Sequence, residues 1–243
     1  MASPAQNTPP FDFGWWSFDL GKYRPCDGTY CFYGYDSIPP IRTLNGTLDW
    51  LDPLDPQTDQ GMQLYRTAPE ERGKLAEIEA EATQLGLTLP AAFLRLMGSP
   101  ELQDRIPSCT ACTFDLSAHI VPCIGETSGY IIRFLRDQQD VLLWYLYLTP
   151  QGEQWVLVSP YEFGDGPDEN PNDAPENERR AIIARTRICA PSFEAFVYRF
   201  WLENTLWFRL NTSESDGPLS DEQQRYLDFY GQQQQHSQQQ ADS

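Results

Sequence analysis

The run of eight apolar or aromatic residues at 141–148 is the feature that most restricts the fold of this chain. Eight residues are a typical strand length and are short for a helix, and turn-forming residues flank the run on both sides. Alternate residues of a strand face opposite sides, so both faces of this strand are apolar and each must be covered. One predicted face carries Leu142, Trp144, Leu146 and Leu148, and the other carries Val141, Leu143, Tyr145 and Tyr147.

Two neighbouring segments complete a predicted three-stranded meander. Residues 131–135 and 155–158 are rich in β-branched and aromatic side chains, which strands favour. The polar stretch 136–140 and the Thr149-Pro150-Gln151-Gly152 sequence supply the two turns. The other elements must pack on this meander. A further strand is predicted at 109–114, after a loop at 101–107.

Four helices are predicted from capping signals and apolar spacing. A capping box at Thr67–Glu70 opens the first helix, and Gly86 ends it. The second helix is expected between Thr88 and Gly98, and the third begins at Ser192. A second capping box at Ser220–Gln223 opens a short helix that Gly231 closes. Each of the first three helices has a predicted inward apolar face. These faces carry Leu75, Ile78, Ala82 and Leu85 in the first helix; Leu89, Phe93, Leu96 and Met97 in the second; and Phe193, Phe196, Val197, Phe200, Trp201, Trp207 and Phe208 in the third.

The chain divides by composition into three parts. Residues 1–66 form an aromatic-rich N-terminal extension, 67–212 a central domain, and 213–243 a short helix with a glutamine-rich tail. Residues 1–10 and the tail from 232 are expected to be disordered. The aromatic stretch 11–35 predicts an accessory β-hairpin laid over the main sheet, with an aromatic binding surface as the alternative.

The charge balance favours certain partners and excludes others. The 35 acidic and 17 basic residues give a formal charge of −18, which repels nucleic acid and anionic membranes and attracts a basic protein. Acidity that only keeps the chain soluble is the alternative. No stretch approaches the roughly 18 apolar residues of a membrane span. The N-terminus lacks the features of a signal peptide, so we expect a cytoplasmic protein with six reduced cysteines.

The segment from Tyr161 to Glu178 is expected to be an acidic, mobile loop. It is interrupted by three prolines and carries seven acidic residues without a basic one. Four arginines between 179 and 187 follow and can partly neutralise it. A solvated loop without a specific role is the alternative to a partner-binding surface. The candidate partner-binding residues are Asp165, Asp168, Glu169, Asp173 and Glu176.

The sequence predicts no catalytic residue, cofactor or metal. His119 is the only histidine outside the C-terminal tail, and neither Gly-rich phosphate-binding motif occurs. Cys109, Cys112, His119 and Cys123 could form a zinc site, and Cys109-x2-Cys112 a redox pair. Their strand-like surroundings favour buried packing thiols instead. An enzyme built on a carboxylate cleft and a small zinc-stabilised adaptor remain the alternative functions.

The segment 87–210 resembles the SMI1/KNR4 family, also called the SUKH superfamily. The resemblance lies in Leu89-Pro90 followed by Phe93, Leu94, Leu96 and Gly98; in 134–139; in 144–148 with the turn at Gly152; and in 192–196 running into Trp201-Leu202-Glu203-Asn204. It implies an α+β fold, with helices packed against a mostly antiparallel sheet. It also implies protein binding without catalysis, because bacterial members include immunity proteins that neutralise nuclease or deaminase toxins.

Overall fold

The computed structural model describes residues 11–54, 71–125, 128–164, 170–211 and 218–241, without the side chains of 71, 72 and 233–241. The predicted disordered N-terminus at 1–10 and the capping box at Thr67–Glu70 lie outside these ranges. Asp165, Asp168 and Glu169 lie outside them as well.

A mostly antiparallel sheet with helices packed against it forms the centre of the molecule, which confirms the predicted α+β class. Its strands follow the order β3-β5-β6-β7-β8, with β4 also paired to β5, and each of these pairings is antiparallel. The predicted meander is confirmed as β5–β6–β7. The strands are β3 Thr113–Phe114, β4 Val121–Pro122, β5 Tyr130–Arg136, β6 Leu143–Leu148, β7 Gln154–Ser159 and β8 Arg187–Ala190.

Strand β6 is covered on both faces, as the apolar run predicts, and all six of its residues are buried. Trp144, Leu146 and Leu148 belong to one core, whereas Leu143, Tyr145 and Tyr147 belong to the other. Val141 is the exception, because its side chain is 44% exposed. The preceding turn closes through the hydrogen bond from Asp137 N to Leu142 O (2.9 Å), so Val141 lies in the turn instead of the strand.

The helices cover the two sheet faces unequally. The larger core packs the first, second and fifth helices on one face, and the fourth helix contributes Ile182 to the core on the other. The sixth helix packs with the outer side of the fifth through a third apolar cluster. The helices are α1 Glu71–Gln84, α2 Ala91–Met97, α3 Pro100–Gln103, α4 Glu176–Arg185, α5 Phe193–Asn211 and α6 Asp221–Ala241.

Three predicted boundaries in the first half of the chain differ from the structure. Helix α2 is capped by Pro90 instead of Thr88, because the extended backbone of Pro90 precedes the first helical turn. The predicted loop 101–107 begins within α3, where Ser99 Oγ accepts a hydrogen bond from Leu102 N (3.3 Å). The predicted strand 109–114 is reduced to β3, because a turn at Ala111, with a φ of 61°, precedes it.

Two boundaries in the second half also differ. The acidic segment was predicted to be a loop as far as Glu178, but it contains a short 3-10 helix at Pro171–Asp173, and α4 begins at Glu176. Helix α6 continues through Gly231 to Ala241, so the prediction that the tail is disordered from residue 232 is wrong for its described part. Glutamine favours helices, and one interior glycine costs only about 1 kcal/mol. The capping box is confirmed by reciprocal hydrogen bonds between Ser220 and Gln223 of 3.1 and 3.2 Å.

The predicted N-terminal hairpin is present as β1 (Gly14–Ser17) paired antiparallel with β2 (Cys31–Gly34). Its position differs from the prediction, since it continues the edge of the sheet beside β8. Phe13 bridges Ile188 in a parallel sense, and Ile188 N donates a hydrogen bond to Asp12 O (3.0 Å). Trp15 of this hairpin is buried in the larger core.

The expectation of six reduced cysteines is wrong, because Cys26 and Cys31 form a disulfide. The loop before β2 brings their Cα atoms to 5.8 Å, within the range that a disulfide spans. Cys109, Cys112, Cys123 and Cys189 are free.

We expect thiol titration of the unfolded, unreduced protein to find four thiols per chain, which rise to six after reduction. The Cys26→Ser/Cys31→Ser double variant should lose about 2 kcal/mol of unfolding free energy, because the disulfide closes only a short loop. Six thiols before reduction would contradict the disulfide.

Candidate functional site

The structure describes two of the five predicted partner-binding residues, and both are exposed. Asp173 ends the short 3-10 helix, and no basic side chain of the described ranges forms an ion pair with it. Glu176 lies in the first turn of α4 and accepts hydrogen bonds from Arg179 Nη2 and from Arg180 Nε (2.7 Å). These hydrogen bonds lower the pKa of Glu176. Its charge is therefore partly neutralised within its own helix, whereas that of Asp173 is not.

A pocket of about 380 Å³ adjoins this acidic segment. Asn172 lines this pocket and anchors the segment, because its Nδ2 donates to Cys123 O (3.0 Å) and its Oδ1 accepts from Gly125 N (2.8 Å). Glu176, Arg179 and Arg180 line the pocket. The part of the acidic segment from Asn170 onward is thus held against the residues that follow β4, and its described acidic residues are exposed.

The cysteines and histidine that could form a zinc site are not brought together. Cys112 and Cys123 belong to cores on opposite faces of the sheet, and His119 Nδ1 lies 3.6 Å from Glu81. Burial raises the pKa of Cys109 and of Cys112, so both thiols stay protonated near neutral pH. Within the described ranges, no three His, Cys, Asp or Glu residues form a group that could hold a metal.

A buried ionic cluster around Glu203 was not predicted. Glu203 of α5 is 1% exposed and pairs with Arg24, which is 3% exposed and follows the hairpin's first strand. Arg24 Nη1 and Nη2 donate to the two carboxylate oxygens at 2.5 and 2.9 Å. Trp15 Nε1 (2.9 Å), Ser17 Oγ and Tyr226 OH (2.5 Å) donate to the same carboxylate.

These contacts determine the protonation of Glu203. Burial by itself would raise the pKa of Glu203, but the Arg24 guanidinium and the hydroxyl donors outweigh it and lower the pKa to about 2. A carboxylate that stays charged and fully hydrogen-bonded is a poor general acid or base. The cluster instead joins the N-terminal hairpin, α5 and α6.

Glu194 is a second buried carboxylate of α5. Unlike Glu203, it does not bind an arginine but accepts hydrogen bonds from a loop. It accepts hydrogen bonds from Gly46 N, from Leu48 N (2.8 Å) and from Trp50 Nε1 (3.0 Å). Leu48 has a φ of 57°, a left-handed conformation that a branched side chain rarely adopts. The Glu194 carboxylate therefore stabilises an otherwise unfavourable loop against α5.

A cavity of about 470 Å³ lies next to the Glu203 cluster. Its walls are residues 39–42, α5 and α6. Tyr226 connects cavity and cluster, because its hydroxyl donates to Glu203 and accepts from Arg199 Nη1 (3.1 Å). Sequence reasoning missed this cavity because its walls come from segments separated by about 160 residues. The one available signal was Glu203 itself, a charged residue next to the apolar stripe of α5.

The fold and these sites define an α+β protein with helices packed against a mostly antiparallel sheet. Comparison with protein-family models, with curated proteins and with solved structures finds no match. Among the described helices, none combines the length and the apolar character needed to cross a membrane.

Proposed function

We propose that this protein is a non-enzymatic protein-binding module of the immunity type, which neutralises a basic toxin of the nuclease or deaminase class. The proposed partner follows from two arguments, the excess of negative charge at the surface and the resemblance of segment 87–210 to SMI1/KNR4 proteins. A toxin that acts on nucleic acid needs a basic surface to hold its substrate. An acidic protein can compete for that surface.

The distribution of charge between interior and surface is the observation that carries this proposal. The buried basic residues of the described ranges are Arg24, Arg133 and Arg199, and the buried acidic ones are Asp137, Glu194 and Glu203. Three positive and three negative groups cancel. The formal charge of −18 therefore belongs to residues outside this buried set, and the exposed acidic residues among them, such as Asp27, Glu77 and Asp173, can act on a partner across the solvent.

The state of the buried carboxylates favours binding over catalysis. Glu203 and Glu194 are each saturated with donors from the protein itself, as described above. Asp137 accepts hydrogen bonds from Tyr30 OH (2.7 Å) and from Gln139 N (2.8 Å). An enzyme built on a carboxylate cleft needs a carboxylate that reaches its substrate, whereas these three are buried and accept hydrogen bonds from the protein itself.

Co-expression tests the proposed function directly. The partner to test is a nuclease or deaminase toxin domain, with the product of the gene immediately upstream as the first candidate, expressed in bacteria with and without this protein. We expect the toxin domain alone to stop growth, and co-expression to restore growth through a stable complex of the two purified proteins. A neighbouring toxin that neither binds this protein nor is neutralised by it would contradict the proposal.

The acidic segment should increase the rate at which such a partner associates. A variant with five neutralised side chains (Asp165→Asn, Asp168→Asn, Glu169→Gln, Asp173→Asn and Glu176→Gln) should associate with the toxin about tenfold more slowly at low salt. The difference should shrink towards physiological ionic strength, because salt screens charges beyond about 8–10 Å. Stopped-flow association across a salt series measures both effects.

A matched control separates the acidic segment from net charge alone. The control removes the same number of charges from exposed carboxylates elsewhere: Asp27, Asp36, Glu77, Glu79 and Glu101. We expect it to slow association clearly less than the acidic-segment variant. Equal slowing by both variants would assign steering to the whole surface, and no slowing by either would exclude electrostatic steering.

A further inference from the structure

The cavity of about 470 Å³ beside α6 combines an apolar wall with charges of both signs. Ile41, Leu202 and Phe229 supply apolar surface. Arg42 and Arg225 contribute two positive charges, and Glu222 and Asp228 contribute two negative ones. The lining is therefore neutral in formal charge, although the chain as a whole carries −18. This cavity differs from the rest of the acidic surface.

The opposite charges of this cavity do not pair with one another. Arg42 lies over the ring of Tyr198, 4.9 Å from its centroid, and Arg225 is exposed. Neither guanidinium forms an ion pair with a carboxylate of the described ranges. Six other arginines of the described chain do pair with a carboxylate, whereas Arg185 and Arg187 resemble Arg42 in lying over an aromatic ring. The cavity thus keeps charges of both signs that no ion pair of the described ranges neutralises, although Asp228 Oδ1 accepts a hydrogen bond from Gln224 Nε2 (2.7 Å).

A buried hydroxyl lies among these charges. Tyr198 is 0% exposed, and its hydroxyl forms no close hydrogen bond with a described atom, although the Glu222 carboxylate is near enough to interact with it. Burial raises the pKa of Tyr198, and the nearby Glu222 carboxylate raises it further, while Arg42 and Arg225 act in the opposite direction. The three charged groups that act on this hydroxyl all line the cavity. The hydroxyl therefore faces the cavity as a protonated donor, and a buried donor without a close acceptor favours a ligand that supplies one.

We propose that this cavity binds a small zwitterion of the amino-acid class with an apolar side chain. The two guanidiniums and the Tyr198 hydroxyl can hold its carboxylate, because arginine forks match carboxylate geometry and the hydroxyl can donate a hydrogen bond to it. Glu222 and Asp228 can hold its ammonium group. Ile41, Leu202 and Phe229 cover its side chain. A purely anionic or purely cationic ligand would leave one pair of charges in the cavity without a partner.

Calorimetric titration of the full-length protein with three amino acids tests the proposal. The probes are L-leucine, L-methionine and L-phenylalanine, each compared with its N-acetyl derivative, which lacks the ammonium charge, and its amide, which lacks the carboxylate. We expect at least one amino acid to bind with a dissociation constant of about 1 mM or tighter. Both of its derivatives should bind at least about tenfold more weakly, because each leaves charged groups unpaired.

Variants of the cavity locate the binding. Arg42→Gln and Arg225→Gln should each weaken binding by about tenfold or more. Tyr198→Phe should weaken binding without loss of folding, because it removes a hydroxyl that forms no close hydrogen bond with the described part of the protein. Arg185→Gln is the matched control, since Arg185 is an exposed arginine over the ring of Tyr161, outside the cavity. It should bind as the parent does.

Three results would overturn the proposal. The first is the absence of binding by all three amino acids up to about 10 mM. The second is an N-acetyl or amide derivative that binds as tightly as its parent amino acid, which would exclude recognition of both charges. The third is unchanged binding in both arginine variants, which would place the ligand elsewhere. These tests need no toxin, so their outcome is independent of the proposed immunity function.

Discussion

Replacement of Glu203 by alanine should lower the unfolding free energy by about 3–5 kcal/mol, the usual loss when one partner of a buried ion pair is removed. The cause is the charge that remains. Arg24 is 3% exposed and would keep its guanidinium in the interior without the carboxylate that neutralises it. Trp15, Ser17 and Tyr226 would also lose their common acceptor. Chemical denaturation of parent and variant measures the loss.

Two controls identify the buried charge as the cause. Glu194→Ala removes a buried carboxylate from the same helix, but its donors are neutral groups, so we expect a smaller loss than for Glu203→Ala. The Arg24→Met/Glu203→Leu double variant removes both charges. It should recover much of the lost stability, because buried ion pairs are often replaceable by apolar residues. A loss below about 1 kcal/mol for Glu203→Ala, or no recovery in the double variant, would contradict this explanation.

The same cluster predicts how stability depends on pH. The pKa of Glu203 is lowered from its ordinary value of 4.5 to about 2 in the folded protein. A lowered pKa stabilises the folded state above the unfolded pKa, and this contribution is lost as the pH falls from about 4.5 towards 2. Glu203→Gln removes the titrating group. The stability difference between parent and Glu203→Gln should therefore narrow across this acidic range and stay constant between pH 6 and about 8.

The sequence predicted the central meander of the sheet because its signals are local, but it did not predict β4 or β8. Eight apolar residues between two turns required a strand covered on both faces, and Trp144 and Tyr145 do belong to opposite cores. The prediction placed Val141 in the strand because composition does not show where a turn closes. The hydrogen bond between Asp137 and Leu142 sets that limit, and it depends on geometry that the composition does not encode.

The sites were predicted less completely, because their residues are distant in the chain. Arg24 and Glu203 are 179 positions apart, and neither position carries a local signal that names the other. The cavity likewise joins Arg42 to Arg225. Cys26 and Cys31 are close in sequence, but their disulfide was not predicted because all six cysteines were expected to be reduced. The acidic segment was found from composition alone, but composition did not show that Glu176 would open α4 and pair with Arg179 and Arg180.

Replacement of Trp144 by alanine should cost about 3–5 kcal/mol of unfolding free energy, as for other fully buried large aromatic residues. Trp144 is 2% exposed at the middle of the sheet. Its ring lies between the rings of Tyr30, Phe196 and Phe200, with centroid distances of 6.2–6.3 Å. The alanine variant would leave a cavity between β6, α5 and the segment before β2, and these elements cannot all move to fill it.

Trp155→Ala is the matched control, because Trp155 lies on the neighbouring strand β7 and is only partly buried. It should cost less than Trp144→Ala, since part of its ring is already in contact with water. Trp144→Phe should lower the unfolding free energy less than Trp144→Ala does, because the smaller ring still fills most of the space. A loss below about 1 kcal/mol for Trp144→Ala would mean that this side chain does not anchor the core. The contact between α5 and the sheet would then depend on Phe134, Phe193 and Phe196, whose rings pack edge-on between 5.0 and 5.4 Å.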